Sequence, residues 1–151
     1  MQLDQFDCGK APLTDWLRLR AVKAEGRSAR TFVVTENSVA VAYYCLSTGA
    51  ISHSEGNAKL RQNMPDPIPI MVLGRLAIDA RHQGQGLGQA LLKDACKRFL
   101  AASKIVGASA LVVHAIDTDA KAFYLKYGFR ELSVGSNTLY ITAATLAAAL
   151  G

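Results

Sequence analysis

The chain has 151 residues, half of them hydrophobic, enough for one domain with a real core and too few for two. No apolar run approaches the ~20 residues of a membrane span, and the opening MQLDQFDCGK lacks the basic-then-apolar order of a secretory signal, so a cytoplasmic protein with no membrane partner is expected. Lys and Arg outnumber Asp and Glu by 17 to 12, a net charge of +5 that attracts a coenzyme or a nucleic-acid backbone and repels polyamines and aminoglycosides.

Residues 11–24 read as one helix with Leu13, Trp16, Leu17 and Ala21 inward and Arg18 and Lys23 outward. Residues 31–35 and 39–46 read as two strands around Glu36-Asn37-Ser38, a hairpin signal. Residues 52–63 are polar with room for a short helix, and Pro65, Pro67 and Pro69 then hold the chain extended. A β-prone run over 70–78 leads into a glycine-dense turn, and a helix follows with Leu87, Leu91, Leu92, Ala95 and Phe99 on one face. Residues 110–115 (ALVVHA) are short and wholly apolar apart from His114, as in a buried strand. A further helix is capped by Asp117 to Asp119 and stopped by Gly128. Residues 129–134 and 138–142 make a last hairpin around Gly135-Ser136-Asn137, and residues 143–151 are a short helix or a frayed end. Cys8, Cys45 and Cys96 are odd in number and form no C-x-x-C pair, which suggests neither a disulfide framework nor a zinc site; no metal is expected.

The turn carries the chemistry. In LGRLAIDARHQGQGLGQ (residues 73–89), Gly84, Gly86 and Gly88 remove side chains where backbone must approach a ligand, and the helix start offers unpaired N–H groups to an anion. A Walker loop needs Lys and Ser or Thr after its last glycine, where Gln89 and Ala90 stand here. A dinucleotide fingerprint needs G-x-G-x-x-G, whereas these glycines alternate. A plain surface turn is the alternative. Arg81-x-x-Gly84-x-Gly86 resembles the R/Q-x-x-G-x-G/A signature of the GNAT acetyltransferases, in which the loop holds the pyrophosphate of acetyl-coenzyme A, and the order of elements resembles theirs along nearly the whole chain. FDCGK (6–10), GRLAID (74–79), GQGLGQALLKDA (84–95) and AKAFYLKYGF (120–129) resemble the GNAT toxins of type II toxin–antitoxin modules.

That resemblance implies an α+β (α/β) GNAT fold, with a mixed, mostly antiparallel sheet of about six or seven strands and helices on both faces. It also implies acetylation of the α-amine of aminoacyl-tRNA, which blocks translation, a ribbon-helix-helix antitoxin partner and a homodimer. With the pyrophosphate on the N–H groups of Gln83, Gly84, Gln85, Gly86, Leu87 and Gly88, beside Arg81, the pantetheine arm would run back along the strand. The thioester would then lie near Leu76, Ala77 and Ile78, whose backbone N–H groups can polarise a carbonyl and hold an oxyanion. By resemblance, Asp117, Ala120 and Phe123 contact the coenzyme, although Asp117 also suits a helix cap. Tyr124, expected at the start of the last helix, is where the resemblance puts a thiolate-facing tyrosine, and a phenol has a proton to give. A core aromatic is the other reading, with Phe123 and Tyr127 as i, i+4 partners and Tyr124 about 100° from Phe123.

No general base stands out: His53 and His82 are isolated, His82 reads as a solvated loop residue, His114 as a satisfied core residue, and Glu55 serves only if its loop folds over the site. An α-amine, titrating near ~8, needs less help than a lysine near ~10.4, which favours an α-amine substrate. Arg18, Arg20, Lys23, Arg27, Arg75 and Lys93 are the material for a tRNA track, though solvated helix faces explain the clusters equally well, and Arg75 suits a salt bridge inside the fold. Two rival readings remain open: an acetyltransferase for a small amine or a protein N-terminus, and a non-enzymatic nucleotide- or nucleic-acid-binding module.

Overall fold

Pro12 in the first turn and an apolar stripe ending at Leu17 start helix α1 (Ala11–Leu19), and Arg20, at φ −125°, separates it from the single turn α2 (Ala21–Ala24). The helix expected over 11–24 is therefore broken. Beyond Leu17 only the small Ala21 and Ala24 continue the inward stripe, too little apolar surface to hold a straight rod. Ala21 still reaches the core, while Leu19 and Val22 are left exposed. These are features of the computed structural model, which describes residues 1–150.

The chain divides into two compact units, Met1–Ser47 with Gly74–Ala95, and Thr48–Leu73 with the chain from Cys96 on. In the first, β1 (Arg30–Glu36) and β2 (Val39–Ile51) form the expected antiparallel hairpin, with β2 running five residues further than the sequence suggested. Asn37 and Ser38 both take positive φ, the mirror-image turn whose twist matches that of the strands. The core of this unit gathers Phe6, Trp16, Leu17, Ala40, Tyr43, Cys45 and Ala77. Tyr43 is its centre: Phe6 meets its ring edge-on at 5.5 Å, Trp16 stacks at 5.9 Å, and its hydroxyl donates to the Leu13 carbonyl at 2.5 Å.

In the second unit Asn57 caps the short α3 (Ala58–Arg61) by accepting from the Leu60 N–H, and its amide donates to the Tyr140 hydroxyl at 2.9 Å. Strand β4 (Ala110–His114) pairs antiparallel with β6 (Thr138–Thr142), which carries the two-residue β5 (Arg130–Glu131) beyond it. Ile51, Leu60, Ile68, Ile70, Ala110, Val112, Leu132 and Tyr140 form the core. Helix α5 (Thr118–Lys126) has the expected Asp117 cap and ends before Gly128 at φ 98°; the tail is helical as α6 (Ala143–Leu150). His114 departs from the core reading: it is exposed at the end of β4, its Nδ1 3.0 Å from Thr138 Oγ1. The residues on either side of it, Val113 and Ala115, are buried, so the strand turns this one side chain outward as it ends.

Strand β3 (Ile68–Ile78) and the 20-residue α4 (Leu87–Val106) belong to both units. Leu91, Leu92, Ala95 and Phe99 are buried along α4 as their spacing requires, joined by Cys96. The six strands are hydrogen-bonded in the order β1-β2-β3-β4-β6-β5, with β3 and β4 parallel and β1–β2, β4–β6 and β5–β6 antiparallel. This is the mixed, mostly antiparallel sheet expected. All three cysteines are free and buried, and burial raises Cys45 and Cys96 to about 11, where a thiol is inert at neutral pH. No helix among the described residues is long and apolar enough to cross a membrane.

Candidate functional site

The site is built on the far end of β3. That strand is registered against β4 only at Met71, Val72 and Leu73, yet it continues to Ile78. Over Leu76, Ala77 and Ile78 no β4 residue is opposite, so the strand's backbone polar groups facing that way need another partner, which the Ile78 carbonyl finds in the Gln83 amide. Ala77 is buried in the core, while Leu76 and Ile78 are half-buried.

Asp79 then turns the chain. Its residue is 1% exposed, the Asp79 N–H donates to the Val41 carbonyl, and its carboxylate collects the Asp7 N–H (3.1 Å), the Arg81 N–H (3.0 Å) and the Arg81 guanidinium through Nε (3.0 Å) and Nη2 (3.4 Å). Burial alone would raise the pKa of this acid. The hydrogen bonds from the Arg81 side chain and backbone and from the Asp7 N–H outweigh it, and bring the group down to about 2. Arg81, its side chain 60% exposed, is thus held at one edge and keeps further N–H donors for a ligand.

After a single 3₁₀ turn (Ala80–His82) come Gly84 at φ 77° and Gly86 at φ 80°, a backbone that L side chains rarely adopt. A Cβ built on either glycine meets nothing within 4 Å, so the surface above the loop is open. The first hydrogen bond of α4 runs from the Ala90 N–H to the Gly86 carbonyl, which leaves the N–H groups of Leu87, Gly88 and Gln89 without a protein acceptor among the described residues. Open glycines ahead of three unspent donors at the positive end of a helix form a cradle for a phosphate group, and these residues fit the diphosphate of a coenzyme A thioester.

The opening residues brace this loop. Phe6 is fully buried in the core, Ala80 donates its N–H to the Asp7 carbonyl at 2.8 Å, and Asp7 Oδ1 accepts the Gly9 N–H. The Gln83 side-chain amide donates to the Cys8 carbonyl at 3.0 Å and the Ile78 carbonyl at 2.9 Å. His82 corrects the solvated-loop reading: its side chain is 21% exposed, Nε2 lies 3.1 Å from Glu36 and Nδ1 3.8 Å from Asp79. That contact ties the end of β1 to the turn. Sequence reasoning did not foresee Asp79, Asp7 or Glu36 in these roles; the FDCG and LAID runs drew notice as family marks only.

In the second unit Tyr124 lies in the last turn of α5, not at a helix start, and α6 follows as the final helix. Its ring is buried, 5.2 Å from Phe123 and 5.5 Å from Phe129. Phe123 and Tyr127 meet edge-on at 5.2 Å, the i, i+4 contact expected. Burial, with a smaller effect of Cys96, pushes the Tyr124 phenol well above its usual value, so the proton stays on oxygen. Asp117 Oδ1 accepts the Ala120 N–H at 2.8 Å, which engages both residues in the cap.

The remaining acid–base candidates are occupied elsewhere. Glu55 accepts from the Ser52 N–H and hydroxyl in its own turn, and His53 Nε2 sits 2.8 Å from the Pro65 carbonyl. Arg18, Arg20, Lys23 and Arg27 are exposed along and after the first two helices, and Lys93 is exposed on α4. Arg75 lies with its guanidinium 4.2 Å over the Trp16 ring, a cation–π contact in place of the salt bridge considered for it.

The pattern of the acetyltransferase (GNAT) domain matches residues 27–131. A tRNA-acetylating toxin of Mycobacterium tuberculosis (strain ATCC 25618 / H37Rv) is 40% identical over 126 residues, covering 82% of this chain and 75% of that protein. The structure of AtaT complexed with acetyl-methionyl-tRNAfMet is similar at a TM-score of 0.89 and 29% identity, over 99% of this chain and 92% of that one. A mutant AtaT toxin bound to the C-terminus of the antitoxin AtaR and acetyl-CoA has a TM-score of 0.84 at 28% identity, over 99% and 90% of the two chains.

Proposed function

Because the chain belongs to the GNAT acetyltransferase family, we propose that it moves an acetyl group from acetyl-CoA to the α-amine of the amino acid on charged tRNA and thereby blocks translation. The observation that carries the donor half is the loop: two left-handed glycines under open space, then three unspent N–H groups, directly after a strand that has outrun its β4 partner. The acceptor half is supported by likeness to the tRNA-acetylating toxin and to AtaT with its acetylated methionyl-tRNA.

Acetyl-CoA supplies an activated acyl carbon and a thiolate leaving group. Leu87, Gly88 and Gln89 bind its diphosphate through their N–H groups, with Arg81 beside them, and the backbone of Leu76, Ala77 and Ile78 orients the acyl arm. By the resemblance to the GNAT toxins, Tyr124 takes the role of hydrogen-bonding the departing sulfur through Oη. Relative acidity decides the form of that help: a thiol titrates near ~8.5 and an ordinary phenol near ~10, so full proton transfer from a phenol raised still further is uphill. Tyr124 therefore stabilises developing charge by donating a hydrogen bond and keeps its proton. No base is needed to deprotonate the nucleophile beforehand, because an α-amine esterified at its carboxyl is largely neutral at physiological pH; as the C–N bond forms and the C–S bond breaks, the proton shed by the nitrogen passes through water to the departing thiolate.

Arg18, Arg20, Lys23 and Arg27 provide the exposed positive charge for the tRNA backbone, with Lys93 as a further contact. The protein would meet its substrate in the cytoplasm as a homodimer, silenced by an antitoxin of the ribbon-helix-helix class. The test is incubation with labelled acetyl-CoA and a pool of charged tRNAs. Label on the amino acid of one or more tRNAs is expected; label on small amines or protein N-termini with none on tRNA would overturn the acceptor, and no turnover at all would overturn the enzyme.

A further inference from the structure

Gln83 carries an amide with two hydrogens, and both are spent inside the protein, one on the Cys8 carbonyl at 3.0 Å and one on the Ile78 carbonyl at 2.9 Å. What its side chain has left is an acceptor oxygen, which repels phosphate oxygens. Although it stands within the phosphate-binding turn, this side chain cannot donate to the diphosphate. It joins the strand end before the turn to a segment 75 residues away.

A second link runs beside it. Asp79 accepts the Asp7 N–H with one carboxylate oxygen and the Arg81 N–H with the other, while Ala80 donates to the Asp7 carbonyl. Asp7 and Cys8 are themselves fixed from below: Phe6 is buried, Cys8 donates its N–H to Thr14 Oγ1 on α1 at 3.1 Å, and Gly9 turns away at φ 86°. The glycines of the loop have no side chains to hold them, so its shape depends on anchors at its foot.

We propose that Gln83, with Asp79, is a positioning residue that clamps the phosphate loop to the N-terminal Asp7-Cys8 segment, so that the first ten residues of the chain set the affinity for the donor's diphosphate. The proposal rests on the donor-binding reading above. The clamp acts on binding and not on chemistry: an unclamped loop samples shapes in which its N–H groups diverge, and affinity falls with the population of the competent shape.

The test uses Gln83→Leu and the isosteric Gln83→Glu, which cannot donate to either carbonyl; the position is exposed and water can reach it, so both variants should fold, with a melting temperature lowered by only a few degrees. Calorimetric titration with coenzyme A itself is expected to show affinity weakened about five- to thirtyfold in each variant, the loss of one to two hydrogen bonds. Hydrogen exchange at residues 5–10 should quicken in parallel, and the acetyl-CoA KM should rise with kcat within about twofold. Undiminished coenzyme affinity in both variants would overturn the proposal, as would weakened affinity with unchanged exchange over residues 5–10. If the wild-type protein fails to bind coenzyme A, it is the donor reading that fails.

Discussion

Replacing Asp79 by Asn removes one charge and reverses one hydrogen-bonding edge at the foot of the loop. The carboxylate is all acceptor, as its surroundings demand, since the Asp7 N–H, the Arg81 N–H and the Arg81 guanidinium all donate to it. An Asn amide keeps one acceptor and turns an NH₂ toward a donor, leaving a buried N–H unanswered. The fall of the Asp79 pKa from 3.8 to about 2 corresponds to about 2 kcal/mol of preference for the charged form in the folded protein. With the unanswered donor the substitution should cost about 2–4 kcal/mol at pH 7. For a chain of this length that lowers Tm by roughly 5–15 °C.

The pH dependence gives the sharper check, because a depressed carboxylate stabilises only while it is ionised in the folded state. Its contribution is complete above the unfolded value near 4 and is lost as pH falls through about 2, with about half remaining at pH 3. Urea unfolding of both proteins at pH 7 and pH 3 measures it. A stability gap that stays constant between these two values, or is absent at pH 7, would refute the assignment of Asp79 as a paired, charged anchor.

Tyr124→Phe should lower acetyl transfer by about 10²–10³-fold while coenzyme A affinity, measured by titration, stays within twofold. Gly86→Ala forces a Cβ onto a backbone at φ 80°, so the strain of about 1–2 kcal/mol should appear as about tenfold weaker coenzyme binding, with no packing clash to confuse it. The double substitution Arg18→Gln and Lys23→Gln should raise the KM for charged tRNA and flatten its salt dependence by about two phosphate contacts, leaving the acetyl-CoA KM unchanged in steady-state assays. Tyr44→Phe loses the hydrogen bond to Asp94 on α4 and should cost about 1–3 kcal/mol in chemical denaturation at pH 7.

Periodicity located every long element, because α4, β2, β3 and β4 bury continuous stripes that leave their mark on neighbouring residues. It failed where a single residue decided. The break at Arg20 depends on how little apolar surface lies beyond Leu17, and β2 extends to Ile51 because Gly49 lets the strand pass close against Val72 and Ile70. The loop glycines were legible since nothing else explains their alternation, and the cap at Asp117 since its residue type suits the task. The anchors were not legible. Asp7 and Asp79 are 72 positions apart, and Glu36 meets His82 across 46, so no local pattern links either pair. The core-aromatic reading weighed for Tyr124 fits its buried ring, but the part played by Phe129, brought back by the turn at Gly128, was out of reach.

The tie between Cys8 and Gln83 has a bearing on biosynthesis. A chain leaving the ribosome exposes its first residues early, yet they have nothing to grasp until position 83 follows, and the helix dipole that faces the anion needs several residues more. Cys8, Gln83 and the start of α4 must all be free of the exit tunnel before a nucleotide-bearing donor can be retained. A nascent chain halted short of position 83 would therefore hold no such donor.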